Sequence, residues 1–293
     1  KIKVTYEEFE PVITVEDAMK PTRIPIHEER PDNVVVHSSY EIGSYEEARR
    51  EPGLIKIEGD YETPIVQHCH IEKALSFAYI ESGKIVVVSA TQIPHIIRRI
   101  CSQALGVGFG DIRIIKPYLG GGFGNRQDAL TEPLNAFLAT RVAGRPVKLE
   151  YTREETFNCT RVRHAMKFHI ESYVRTDGSF AARSIIAYSN QGAYASHAHA
   201  LVANAINGFR MMYPVGAIKG EAYTVYTNLP TAGAMRAYGI PQIGFALEAH
   251  VDDIVAKTGF DPIEFRKTNM MKLGYVDSLT TITCHSTGLA ECI

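Results

Sequence analysis

Two glycine-spaced stretches hold the residue types best suited to chemistry. The first is Tyr118-Leu-Gly-Gly-Gly-Phe-Gly-Asn-Arg-Gln-Asp128, and the second is Thr231-Ala-Gly-Ala-Met-Arg-Ala-Tyr-Gly-Ile-Pro-Gln242. Glycine lets the backbone approach a ligand closely, and a helix start leaves N–H groups without intrahelical partners, so an anionic oxygen is the natural guest. A tight strand-to-helix connection would account for some of these glycines. Three in a row followed by Phe-Gly exceed what a turn requires. A Walker loop would end in Gly-Lys-Ser/Thr, where this chain has Gly124-Asn125-Arg126. A dinucleotide fingerprint would need a final glycine that Gly120-Gly-Gly-Phe-Gly-Asn125 lacks.

The elements around these stretches follow from pattern. Asp111 to Pro117 reads as a strand and Ala129 to Ala143 as a helix, giving strand, glycine turn, helix. A strand from Gly216 to Thr227 leads to the second stretch, and a helix runs from about Ile243 to Thr258. Two such junctions in one chain can converge on one ligand. Further strands are expected at 34–38, 54–61, 74–81, 84–89, 147–151, 164–174 and 180–189, with hairpin signals at Glu81-Ser-Gly-Lys84 and Thr176-Asp-Gly178. Helices are expected at 95–105, 153–158 and 196–209, and from Asp261-Pro262 to about Met271 with Asp261 as N-cap. Lys1 to Val15 alternates like a strand, followed by a short helix near 15–20 and a Pro-rich linker over 21–31. The class is α+β, with β-hairpins between helices.

Composition narrows the function. With 31 basic against 33 acidic residues and no basic run, nucleic acid is not the main partner. No apolar stretch approaches the ~18 residues of a membrane span, and the charged start is not a signal peptide. Five scattered cysteines without C-x-x-C argue against a disulfide scaffold or an iron–sulfur site in this chain, and for a reducing cytoplasm. Gln67-His68-Cys69-His70 places two histidines on one strand face, but no third zinc ligand is evident.

Four segments together resemble the molybdenum-cofactor subunit of the xanthine dehydrogenase and aldehyde oxidoreductase family, the molybdenum hydroxylases. They are Ser89-Ala-Thr-Gln-Ile-Pro94; Gly120-Gly-Gly-Phe-Gly-Asn-Arg-Gln127; Gly144-Arg-Pro-Val-Lys148 with Thr152-Arg-Glu154; and Thr227-Asn-Leu-Pro230 with Ala234-Met-Arg-Ala-Tyr-Gly239 and Pro241-Gln242. The resemblance is strongest to bacterial multi-subunit xanthine- and nicotinate-type dehydrogenases. It implies a two-lobed first cofactor-binding domain of mixed sheets and helices over 32–293, with lobes of about 32–152 and 153–293. The end of a small α/β (hammerhead-like) domain over 1–20 and the linker would precede it.

The implied cofactor is a molybdopterin, in bacteria often the cytosine dinucleotide, with a sulfido or selenido ligand on a metal that no side chain ligates. Such enzymes place water-derived oxygen on an aldehyde or N-heterocycle and pass electrons through 2Fe-2S clusters to FAD, usually on partner chains. By motif position Gln92 and Arg236 are the implied catalytic residues. Gly122, Phe123, Gly124 and Ala237 join them against the cofactor, while Gln127, Asn204 and Tyr238 face substrate. Purine-oxidising members carry a glutamate where Gln127 stands, and animal-type members an arginine near the place of Asn204, with Arg210 nearby. These departures put animal-type xanthine oxidation in doubt and make a different N-heterocycle, such as nicotinate, at least an equal candidate, so the expected substrate is nicotinate- or purine-like. The general-base glutamate belongs to a second cofactor domain, expected on a partner chain alongside iron–sulfur and FAD subunits. The chain is expected to be active only with those partners.

Overall fold

The computed structural model of the chain describes residues 2–21, 25–142 and 144–293. Its first long strands are β1 (Val34–Ile42) and β2 (Ile55–Thr63), after a single-turn helix α1 (Val15–Ala18) and with α2 (Tyr45–Ala48) between them. The chain then passes through β3 (Val66–Gln67), β4 (Leu75–Glu81), β5 (Lys84–Ser89), α3 (Pro94–Leu105), β6 (Ile112–Ile115), α4 (Glu132–Ala139) and β7 (Val147–Glu150). It continues with α5 (Arg153–Cys159), β8 (Val162–Arg163), β9 (Met166–Val174), β10 (Phe180–Gly192), α6 (Ala198–Met212), β11 (Ile218–Tyr226), α7 (Ile240–Thr258) and α8 (Pro262–Asn269).

Two sheets carry the two lobes, in the strand orders β1-β11-β10-β9-β2 and β6-β5-β4-β7. Each contains one parallel pair joined by a helix: β5 and β6 across α3, and β10 and β11 across α6. The remaining pairs are antiparallel, and Glu81 faces Lys84 across the expected hairpin. The larger core packs Phe168, Ile170 and Ile185 of the five-stranded sheet against Phe209, Ile243 and Leu247 of α6 and α7. Ala181 and Ala182 join a separate cluster with Tyr45 of α2, while Val225 joins one with Val15 and Ala18 of α1. Helices on both faces explain why β10 is buried almost throughout, without the alternation of a half-solvated strand. Each large side chain buried there contributes about 1.5–3 kcal/mol. The smaller core sets Ile97 and Cys101 of α3 against Val87 and Ile112.

Several expectations need correction. The lobes do not divide at 152/153, because β1 and β2 leave the first half to pair with β11 and β9. Long backbone ladders outweigh closeness in sequence. No strand forms over 2–11. Ile2, Val4 and Tyr6 alternate but stand 93%, 61% and 77% exposed, since alternation makes a strand only where a partner supplies the ladder. The helix expected from Ala129 to Ala143 is only Glu132–Ala139. Pro133 sits in its first turn, where a missing N–H costs nothing, and sets the start there. Lys1, Ala143 and the linker's Thr22, Arg23 and Ile24 lie outside the described residues.

Candidate functional site

The two glycine stretches meet. After β6 the chain runs irregularly to Gly124, which adopts φ 106°, ψ −27° and opens a short 3-10 turn over Asn125–Gln127. The first glycines therefore do not sit at the start of α4. A Cβ on Gly124 would lie 2.7 Å from the carbonyl carbon of Ala234, so only glycine lets the loops come this close. Arg236 N–H donates to Phe123 O at 2.9 Å, bonding one loop to the other. At the second junction Gly239 does cap a helix: with φ 94° it precedes Ile240, and Pro241 lies in the first turn of α7.

Both loops are held in costly conformations. Phe123, Ala237 and Tyr238 have φ of 51°, 66° and 49°, left-handed values that L-residues other than glycine rarely adopt. Such backbone persists only where its surroundings over-determine it. Here the surroundings come from the 67–73 segment. Gly120 N–H donates to Glu72 Oε2 at 2.9 Å, and the buried Arg126 donates to the carbonyls of Glu72 and Lys73 at 3.2 and 2.7 Å. Burial holds the Arg126 guanidinium below its usual pKa, with Glu72 and Glu132 opposing that shift. Asn125 Nδ2 donates to Thr160 Oγ1 at 3.0 Å. His68 Nε2 meets Ala234 O at 2.7 Å, and His70 Nδ1 is bonded to Glu72 O. Burial pushes both histidines below their ordinary range, which keeps them neutral. Their bonds are structural; neither joins a metal-type cluster among the described residues.

Gln92 stands at the centre of the first loop. Its Oε1 accepts from Gly124 N–H at 3.0 Å, and its own N–H donates to Arg126 O at 3.0 Å. Because Oε1 faces a donor, the amide orientation is fixed and Nε2 is left as a donor with no partner among the described residues. A Cβ on Gly122 would come within 2.5 Å of Gln92 Oε1, so the bare backbone there is part of the same arrangement. The N–H groups of Gly121, Gly122 and Phe123 likewise donate to nothing among the described residues.

Arg236 is exposed and makes no side-chain hydrogen bond or ion pair among the described residues, next to a Phe123 that is 49% exposed. Ala237 is exposed beside it. Tyr238 is half-buried and packs its ring edge-on to His197 with 5.6 Å between centroids; burial and the Asp128 carboxylate push its phenol up to about 12. Gln127 is half-buried at the end of the 3-10 turn, its side chain unbonded among the described residues.

The arrangement therefore brings Gln92, Gly122, Phe123, Gly124, Arg236, Ala237 and Tyr238 into one corner, with Gln127 closing the first loop. Asn204 lies on the exposed side of α6 and makes no hydrogen bond to either loop. Arg210 is buried in an ion pair with Asp277, so it is spent within the protein. Glu72, His68 and Arg163, the last donating to Arg236 O at 3.0 Å, support the corner and carry no periodic or spacing signal as supports; the sequence offers His68 only as a possible ligand. Unpaired backbone N–H groups, one amide donor and one unpaired guanidinium suit an anionic, oxygen-rich group.

A family model for the molybdopterin cofactor-binding domain matches residues 26–270. The xanthine dehydrogenase molybdenum-binding subunit of Escherichia coli O157:H7 is 40% identical over 293 residues, covering all of this chain and 39% of that protein. The nicotinate dehydrogenase large molybdopterin subunit of Eubacterium barkeri is 31% identical over 291 residues, 99% of this chain and 68% of that one. Among solved structures, the aldehyde oxidoreductase of Desulfovibrio gigas superposes with a TM-score of 0.89 at 25% identity, over 99% of this chain and 32% of that one. The chain thus spans about two fifths of the first relative and a third of the solved enzyme.

Proposed function

The chain belongs to the molybdopterin cofactor-binding domain family, and from that premise we propose that it forms part of a molybdenum hydroxylase acting on an N-heterocycle. The observation that carries this reading is the junction of the two glycine loops around unpaired donors, with Arg236 unneutralised beside them. Those donors fit the anionic oxygens of a molybdopterin. Gln92 Nε2, the N–H groups of Gly121, Gly122 and Phe123, and the Arg236–Ala237 corner would hold the group. When bound, it supplies the two-electron oxidation of carbon with oxygen from water. We infer the cytosine dinucleotide form, a sulfido or selenido ligand, and 2Fe-2S and FAD partners on other chains from the family pattern.

The chain's own residues bind and orient. Gln92 is anchored through Oε1 and directs its Nε2 hydrogens at an acceptor, while Arg236 supplies positive charge where negative charge develops. Tyr238 offers an aromatic edge that is neutral at physiological pH, since its phenol is pushed up to about 12. Gln127 presents an amide where a carboxylate would repel an anionic ring substituent. A general base is assigned to a partner chain.

A heterocycle is favoured over an aldehyde by identity rather than coverage: the xanthine and nicotinate relatives are 40% and 31% identical over nearly the whole chain, whereas the Desulfovibrio gigas aldehyde oxidoreductase is 25% identical over 99% of it and the molybdenum-binding subunit PaoC 31% identical over 82%. The test is a turnover screen of the purified complex with nicotinate, a purine and an aromatic aldehyde, using a dye acceptor and isotopically labelled water. Labelled oxygen in a hydroxylated heterocycle is the expected result; turnover of the aldehyde alone would replace this substrate class.

A further inference from the structure

Arg163 lies on β8, in the short β3–β8 ladder that runs beneath the corner, with Val66 facing Arg163 and Gln67 facing Val162. The beginning of the second loop is tied to this ladder, since Gly233 N–H donates to Val162 O at 2.9 Å. The end of the loop is tied by Arg163 itself. One terminal nitrogen donates to Arg236 O at 3.0 Å and the other to Gln242 Oε1 at 3.2 Å. Gln242 is buried, and its Nε2 reaches back to His164 O at 3.4 Å, which fixes Oε1 toward Arg163.

Three consecutive residues follow the clamped carbonyl in left-handed conformation: Ala237, Tyr238 and Gly239, with φ of 66°, 49° and 94°. Two of them bear side chains and are strained there. On the N-terminal side Arg236 is held through its N–H by Phe123 O, and on the C-terminal side through its carbonyl by Arg163. The next arginine along shows the contrast. Arg161 is neutralised by Asp128 at 3.1 Å, and that carboxylate also accepts from Ser196. Among the described residues Arg163 has only neutral acceptors, so its charge adds to that of Arg236 instead of being cancelled.

We propose that Arg163 is a positioning residue whose two-pronged bond to the Arg236 carbonyl and Gln242 holds the 236–239 corner in its left-handed form and so aims the Arg236 side chain into the site. A lysine keeps the charge but not the planar fork that spans two acceptors. The effect on Arg236 depends on the functional reading above, whereas the clamp on the backbone does not.

The experiment compares Arg163→Met, Arg163→Lys and wild type in the assembled complex. Hydrogen–deuterium exchange of the peptide across Arg236–Ile240 is measured against the β10 peptide as internal reference. In Arg163→Met the corner amides should exchange about 10-fold faster or more while β10 stays unchanged. An unchanged corner, or an equal rise in both peptides, overturns the clamp whatever cofactor the complex holds. In turnover, Arg163→Met should lower kcat about 10-fold with KM and cofactor content retained, and Arg163→Lys should recover only part. In an Arg236→Met background the same change should add no further loss, because residues acting through one another are non-additive. Losses that multiply independently would show that Arg163 does not act through Arg236.

Discussion

At the residue scale the amide of Gln92 has its two ends committed differently. Oε1 is used internally on Gly124 N–H, and Nε2 faces outward. Gln92→Ala removes both and should lower turnover about 10²–10³-fold, the usual effect of losing one donor aimed at developing charge. Gln92→Glu is the sharper variant. It can still accept from Gly124 but puts a carboxylate where a donor is needed, so it should fold normally and be as slow as the alanine variant. A Gln92→Glu enzyme with wild-type kcat would mean that the amide is only a strut. Gln127 tests selection by charge. Gln127→Glu should cut kcat/KM for an anionic heterocycle by roughly 10-fold, about 1.4 kcal/mol, and leave a neutral purine nearly unaffected. Equal losses on both substrates would remove Gln127 from selection. Motif position named Gln92 and Arg236, and both stand at the junction of the two loops. It missed Arg163 and Glu72, because their contacts join segments far apart in sequence and leave no spacing to read.

At the element scale the site depends on how closely two irregular loops approach, and Gly124 sets that distance. Alanine there would combine an unfavourable φ with a clash against the Ala234 carbonyl, for a loss of about 2–4 kcal/mol. Urea unfolding should show it as a lower midpoint with less retained cofactor, and an unmoved midpoint would contradict the close approach. Two buried histidines, His164 and His250, predict a pH response. His164 is pushed down to about 4 by burial and His250 to about 3 by burial, against about 6.5 in the unfolded chain. Between these values the unfolded chain takes up protons that the fold refuses, so stability falls as pH drops from about 6.5 to about 4, and His250 extends the loss toward about 3. Unfolding free energies measured at about pH 7 and about pH 5 should differ in that direction, and His164→Asn should flatten the slope.

Most of these elements were legible, because periodicity and turn residues mark the hairpin at Ser82-Gly83 and the Asp261 cap, whose carboxylate accepts from Ile263 and Glu264 N–H. The two-residue ladder of β3 and β8 was not, since pairs that short have no pattern, and neither was the pairing of β1 with β11 across most of the chain.

At the scale of the whole molecule, two cores meet at a corner that presents Phe123 and Arg236 to the outside, with Tyr118 just before the first loop 100% exposed and Ile71, next to the Glu72 that holds Gly120, 91% exposed. An aromatic and an unpaired cation at the rim of a site suit closure by another protein surface more than bare solvent. The chain by itself should therefore show no dye-linked oxidation of a heterocycle, while the assembled complex does; turnover by the chain alone would end the shared-site account. No described helix is long and apolar enough to cross a membrane. The proposed guest of the joined glycine loops is a molybdopterin. Molybdenum and pterin analysis of the purified complex tests it most directly. Both are expected, in equal amounts and stoichiometric with this chain; a complex that is folded and fully assembled yet carries no pterin would contradict a cofactor held by these loops.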